Sequence, residues 1–76
     1  MANPCTDKLT DLEYLEHMIP HHQVAIDMSK RLLLHTSNSY LIDFCRKLIY
    51  DQQYEIFYMN NLLNNTKYGN YDSLLL

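Results

Sequence analysis

The chain has 76 residues, of which 47% are hydrophobic and 20% are charged, and its net charge is −3. This composition is typical of one small globular domain. Six basic residues stand against nine acidic ones without a basic cluster, which argues against a nucleic-acid or anionic-membrane surface. No run approaches the roughly 20 apolar residues of a membrane span, and no signal-peptide pattern is seen, so we expect an intracellular protein.

The first predicted helix covers about residues 10–35. It begins at Thr10-Asp11-Leu12-Glu13, which fits the capping box, in which the first and last side chains each bind the other's backbone N–H. Apolar residues then recur every three or four positions, as in an amphipathic helix. The polar cluster of residues 36–39 predicts a turn.

The second predicted helix covers about residues 39–64 and is followed by a flexible tail over residues 65–76. We therefore predict an all-α fold with one domain over residues 1–76, built as a long antiparallel helical hairpin. A core this small rarely supplies more than about 3–5 kcal/mol, so a metal, a disulfide or a second subunit is expected to stabilise it. The tail ends in three leucines, which either cover the bundle, dock on a larger protein assembly or fray.

Pro20 conflicts with the first predicted helix. Inside a helix, proline removes the hydrogen bond to the carbonyl of Glu16, which predicts a kink. The alternative is that Pro20 begins a second helical segment, a position where proline is well tolerated. The sequence does not separate these two interpretations.

Polar side chains interrupt the apolar faces of both predicted helices. His22 lies near the middle of a broad apolar face of the first helix, and Gln52 lies at the centre of the apolar stripe of the second. Because burying an unpaired polar group costs about 1–3 kcal/mol, each should have a partner. They either bind each other across the hairpin or ligate something between the helices.

Imidazole and thioether groups concentrate around this segment. His17, His21 and Met28 share a narrow arc of the first helix, with further candidate metal ligands at Met18, His22 and Met59. Such donors favour copper, especially Cu(I), over hard cations. The spacing of four residues between His17 and His21 can also chelate Zn²⁺, although this spacing alone is a weak signal. The alternative is a metal-free structural module in which the histidines are buried hydrogen-bonding groups. No catalytic motif is present, so an enzyme is not expected.

Two segments carry a family resemblance: residues 18–28, MIPHHQVAIDM, and residues 52–59, QQYEIFYM. They resemble the ferritin-like domain of unknown function 305 family, which includes copper-binding CopM-like proteins. The resemblance implies a four-helix bundle, which many members build from two tandem hairpins. It also implies His and Met ligands for a metal, with Pro20, Asp27, Gln52 and Glu55 as supporting motif positions.

One hairpin cannot cover both of its apolar stripes, so we expect a homodimer that completes the ferritin-like four-helix bundle.

Family members are commonly exported, whereas no signal peptide is seen here. The tyrosine and asparagine content is compatible with an AT-rich genome such as that of a large virus. Cys5 and Cys45 are interpreted as a tail thiol and a small buried side chain, with a disulfide between them left open.

Overall fold

The computed structural model describes residues 8–68 and contains two helices, α1 over Asp11–Leu33 and α2 over Ser39–Tyr68. They pack against each other as an antiparallel hairpin, and residues 8–68 form no strand. The predicted all-α hairpin is thereby confirmed. No helix in this range is long and apolar enough to cross a bilayer.

The start of α1 is a complete capping box. The Thr10 hydroxyl accepts the Glu13 backbone N–H at 3.1 Å, and the Glu13 carboxylate accepts the Thr10 backbone N–H at 3.0 Å. The hydrogen bond that the Glu13 carboxylate accepts from the Thr10 backbone N–H, followed by the effect of the nearby Thr10 hydroxyl, holds the pKa of Glu13 below its ordinary value of 4.5. The carboxylate therefore stabilises the cap above pH 4.5, and its contribution is lost as the pH falls through the lowered pKa.

Replacing Thr10 removes half of this cap. We expect Thr10→Ala to lower the free energy of unfolding by about 1 kcal/mol, because the Glu13 N–H loses its partner at the helix end. Urea unfolding followed by circular dichroism at neutral pH measures the change. Ser37→Ala, in the exposed turn, is the control and should stay within about 0.5 kcal/mol of the unmodified protein. Equal effects of the two substitutions would contradict the assignment of Thr10 as the cap.

Helix α1 continues through Pro20 without a break. The interpretation that Pro20 begins a second helical segment is therefore wrong. One missing backbone hydrogen bond, at the Glu16 carbonyl, is tolerated within a helix of 23 residues because the surrounding turns keep theirs. The kink stays a prediction.

The turn between the helices is built by polar side chains, as the sequence predicts. The Asn38 side-chain oxygen accepts the backbone N–H groups of Tyr40 and Leu41 at 3.0 and 3.2 Å, which caps the start of α2. Thr36 accepts the Asn38 N–H at 3.2 Å. This short connection returns the chain directly alongside α1.

The end of α2 differs from the prediction, because the helix continues to Tyr68 instead of ending near residue 64. The asparagines that suggested a helix end bind the helix itself. Asn60 donates to the Ile56 carbonyl at 3.0 Å and Asn65 to the Asn61 carbonyl at 2.9 Å, each four residues back. Residues 65–68 are thus helical, while the rest of the predicted tail, with its three leucines, lies outside the described residues.

One stripe of each helix forms the interface between α1 and α2. We call these the packed stripes, and their positions alternate by three and four residues, as in helices that pack nearly antiparallel. They contain the buried hydrophobic residues of the hairpin: Leu15, Ile26, Cys45 and Met59. Cys45 forms no disulfide with any described residue, and Cys5 lies outside the described range.

Candidate functional site

Each helix carries a second stripe beside its packed stripe, with the same alternation of three and four residues. We call the two second stripes together the open face. On α1 it consists of Tyr14, Met18, His21, Ala25, Met28 and Leu32, and on α2 of Leu41, Phe44, Leu48, Asp51, Glu55, Tyr58 and Leu62. A stripe with an average spacing of 3.5 residues is the pattern that packs on a neighbouring helix.

Both stripes of the open face lie on the same side of the hairpin. Tyr14 of α1 and Leu62 of α2 line one shallow groove. Nearer the middle, Phe44, Leu48 and Glu55 line a second groove along α2. On each helix the second stripe is rotated from the packed stripe in the same direction about the helix axis. In an antiparallel pair of helices, this rotation places both second stripes on one side of the pair, in agreement with the groove that Tyr14 and Leu62 line together.

Large apolar side chains on the open face remain exposed. Phe44 is 61% exposed, Tyr14 50%, Tyr58 52% and Met28 65%. Isolated exposed hydrophobic residues are ordinary, but a continuous set along two helices marks an interaction surface. The hairpin therefore buries the packed stripe of each helix and leaves the large apolar side chains of the open face exposed, as it also leaves Tyr50, Tyr54 and Phe57 on another side of α2.

The opposite side of α1 is polar and differs clearly from the open face. It carries Glu16, Gln23, Asp27 and Lys30, all exposed, and Gln23 donates to Asp27 at 3.1 Å. Asp27, a motif position in the sequence resemblance, thus belongs to a solvated face. A bundle partner would find no apolar stripe on this side of α1.

His22 joins the two helices instead of offering a free ligand nitrogen. Its Nδ1 lies 3.0 Å from the Met18 carbonyl oxygen and its Nε2 lies 3.1 Å from Oε2 of Glu55. Both contacts are hydrogen bonds when the ring carries a proton on each nitrogen, or when a protonated Glu55 donates to Nε2. The His22 side chain is 11% exposed and that of Glu55 54%, so the link lies at the edge of the interface, on the side of the open face.

Pairing of His22 with Gln52, one of the two alternatives that the sequence leaves open, is not found among the described residues, and the α2 side chain that His22 contacts is Glu55. Gln52 and Glu55 are three residues apart on α2, so they lie on the same side of that helix. Glu55 borders the solvent, where its carboxylate keeps part of its hydration. The carbonyl bound by His22 also belongs to Met18, not to Glu16, the residue whose carbonyl Pro20 releases.

His17 and His21 lie at the outer edge of α1, where they line a shallow groove with Pro20 and Val24. Nδ1 of His17 is 2.7 Å from the Glu13 carbonyl oxygen. A neutral His17 ring that donates from Nδ1 has Nε2 as its lone-pair nitrogen, the orientation commonly found in metal-binding histidines. His21 is exposed one turn further on.

The candidate metal ligands do not form one cluster. Met59 is 8% exposed within the packed stripe of α2, and His22 is bound to Glu55, whereas Met28 is 65% exposed on α1. Within residues 8–68, no group of three or more His, Cys, Asp or Glu side chains is arranged to hold a metal ion. The structure leaves His17 and His21 one turn apart at the outer edge of α1, with Met28 about 10 Å further along the helix from His21 and Met18 closer to the packed stripe.

The aromatic residues of the open face were missed as functional candidates by the sequence interpretation. Phe44 and Tyr58 were not placed in any site, although their spacing to Leu48 and Leu62 repeats the pattern of three and four residues. That second periodicity is the signal that could have found them.

The comparisons with known proteins assign the family. The model of the family described as Domain of unknown function (DUF305) matches residues 3–63. The chain belongs to this family. An uncharacterised protein, L153 of Acanthamoeba polyphaga mimivirus, is 39% identical over 62 residues, which are 82% of this chain and 41% of that protein. The chain thus spans about two fifths of the length of this relative. No solved structure matches the chain.

Proposed function

We propose that this DUF305 chain is a non-enzymatic structural module that pairs with a second copy of itself through the open face to form a four-helix bundle. The observation that carries this proposal is the continuous exposed stripe of Phe44, Tyr58 and their neighbours beside an already packed stripe. In a four-helix bundle every helix contacts two others, so each needs two adjacent apolar stripes. Because an uncharacterised relative of the chain comes from a virus, we extend the proposal to a component of a viral assembly.

The exposed area is adequate for a stable pair. An aromatic side chain offers roughly 150–250 Å² for burial, so Tyr14, Phe44 and Tyr58 together expose about 300 Å². Met28, Leu41 and the half-buried members of the stripes extend the face toward the roughly 800 Å² per partner of a standard protein interface. Only four hydrophobic residues are buried within the described hairpin. A second copy would therefore add a large share of the buried apolar surface.

The mass of the chain in solution tests this proposal. Sedimentation equilibrium of the full chain at micromolar concentration should give twice the 9.1 kDa of the single chain. A mass of 9.1 kDa across the micromolar range would overturn self-association as its function.

Binding of a soft transition metal, copper before zinc, is the second candidate function. It is favoured by one observation, the 2.7 Å contact that orients His17 through its Nδ1 toward the Glu13 carbonyl. His21, one turn further along the same edge of α1, would supply the second imidazole, whereas Met28 lies about 16 Å along the axis from His17, so a thioether for a site suited to Cu(I) has to come from elsewhere. Met18 is the nearest further sulfur, whereas His22 and Met59 are engaged within the hairpin.

Competition for Cu(I) tests the second candidate. Titration against a chromogenic Cu(I) chelator should show one equivalent of copper per chain, and His17→Ala with His21→Ala should lower the affinity by about tenfold or more. His35→Ala is the matched control, since His35 is exposed beyond the end of α1, and it should leave the affinity unchanged. The absence of stoichiometric uptake of both Cu(I) and Zn²⁺ would reject metal binding.

A further inference from the structure

We propose that the two copies dock with α1 of each lying on α2 of the other, and that Glu55 then accepts hydrogen bonds from His22 of its own chain and from His21 of the partner. This inference rests on the proposed self-association and specifies its geometry. Both inter-helix turns would lie at the same end of the bundle, and every neighbouring pair of helices would be antiparallel. The proposal follows from the register within one hairpin and from the charges of the open face.

The register is fixed by contacts within the chain. Tyr14 stands level with Leu62, which lines the same groove, and His22 stands level with Glu55 at 3.1 Å. A two-fold axis parallel to the helices keeps every residue at its own level. Each residue of the α1 stripe therefore faces the partner's α2 stripe at the level that it already has within the hairpin.

This register pairs chemically matched groups. Tyr14 faces Leu62 of the partner subunit, and Met18 faces Tyr58 of the partner subunit, which are apolar contacts at one end. Leu32 faces Phe44 of the partner subunit near the turns. In the middle, His21 faces Glu55 of the partner subunit. Besides Tyr14, His21 is the only hydrogen-bond donor of the α1 stripe, and this register places it opposite an acceptor.

The alternative two-fold arrangement places α2 directly on α2 of the partner and opposes like charges. The midpoint of α2 falls between residues 53 and 54, and Asp51 and Glu55 lie on either side of it. An antiparallel α2 pair would bring the acidic groups of both copies together at the axis, and Asp51 is only partly compensated by Lys47, which binds it at 2.7 Å. The α1 stripe contains no acidic residue, so the crossed arrangement avoids this repulsion.

Glu55 has the capacity for a second donor. Its Oε2 lies 3.1 Å from Nε2 of His22, while the side chain as a whole remains 54% exposed on the side of the open face. A carboxylate offers about four lone-pair directions, so one histidine does not saturate it. His21 is exposed at the same level of α1 and donates either as a neutral N–H tautomer or as the charged ring.

The distance between the two turns tests the docking geometry. A spin label on Ser37→Cys, in a Cys5→Ser and Cys45→Ala background, should give an inter-label distance below about 25 Å, since neighbouring helices are 8–10 Å apart. Turns at opposite ends would be separated by about 35 Å or more, the length of α1, and that result would overturn the proposed geometry while leaving self-association intact. A monomeric sedimentation mass without dipolar coupling would instead overturn the proposed function as well.

A double-mutant cycle on the dimer dissociation constant tests the Glu55 contact and keeps Cys45 in place. We expect His21→Gln and Glu55→Gln each to weaken association by about three- to tenfold, and the double variant to be no weaker than the stronger single effect. His35→Gln is the control and should change the constant by less than about twofold. Strictly additive effects of the two substitutions would show that His21 and Glu55 do not meet across the interface.

Discussion

Phe44→Glu should convert the protein into a monomer. Phe44 is 61% exposed in the isolated hairpin and lies within the α2 stripe of the open face. The proposed dimer would bury two copies of the residue, and losing a buried Phe side chain costs about 1.5–3 kcal/mol even before a carboxylate is forced into the interface. The dissociation constant should therefore rise by at least about a hundredfold, as measured by sedimentation at several concentrations.

Phe57→Glu is the matched control for this experiment. Phe57 lies on the same helix, is 66% exposed and falls on the side of α2 turned away from the open face. The same change of residue should leave the dissociation constant within about threefold of the unmodified protein, because an exposed substitution outside an interface has little effect. Equal dissociation by both variants would mean that general solubility, and not the open face, governs association.

The periodicity of the sequence predicts the architecture well but merges two surfaces into one. Projected on a helical wheel, Tyr14, Leu15 and Met18 fall on one broad apolar face. In the structure Leu15 is 6% exposed in the packed stripe, while Tyr14, a member of the neighbouring stripe, is 50% exposed. A wheel shows that a face is apolar, but only the position of the second helix decides which part of it is covered.

The polar contacts of the site were less predictable than the helices. The sequence indicates that His22 needs a partner, and the structure gives it Glu55 at 3.1 Å. Gln52 and Glu55 lie three residues apart on α2, so a small rotation of the helix exchanges them as partners. The sequence does not determine such a rotation, whereas the capping box at Thr10 and Glu13 is local and could be predicted directly.

The separation of the proposed metal ligands has the same cause. His21 and His22 are consecutive, yet consecutive helical positions point about 100° apart. His22 therefore reaches Glu55 on α2, while His21 remains exposed on α1. A compact sequence motif on a helix thus distributes its side chains over two stripes, and its density of donors overstates how many can share one ion.

Ile26→Ala should abolish the cooperative fold of a single hairpin. Ile26 is 1% exposed, the most deeply buried large side chain of the described residues. Truncating such a residue typically costs 2–5 kcal/mol, which matches the whole stability of about 3–5 kcal/mol expected for a core of this size. Thermal unfolding followed by circular dichroism should show loss of the transition, whereas Val24→Ala, at 56% exposure, should change stability by about 0.5 kcal/mol or less.

Protein concentration connects this result to self-association. If the open face binds a second copy, the folded state is stabilised by mass action, so the transition of Ile26→Ala should return as the concentration rises. Combining Ile26→Ala with Phe44→Glu should remove that recovery, because the second substitution blocks the interface and leaves the packed stripe unchanged. A transition that is independent of concentration in Ile26→Ala would show that the hairpin derives its stability from one chain alone, contrary to the burial pattern of its two helices.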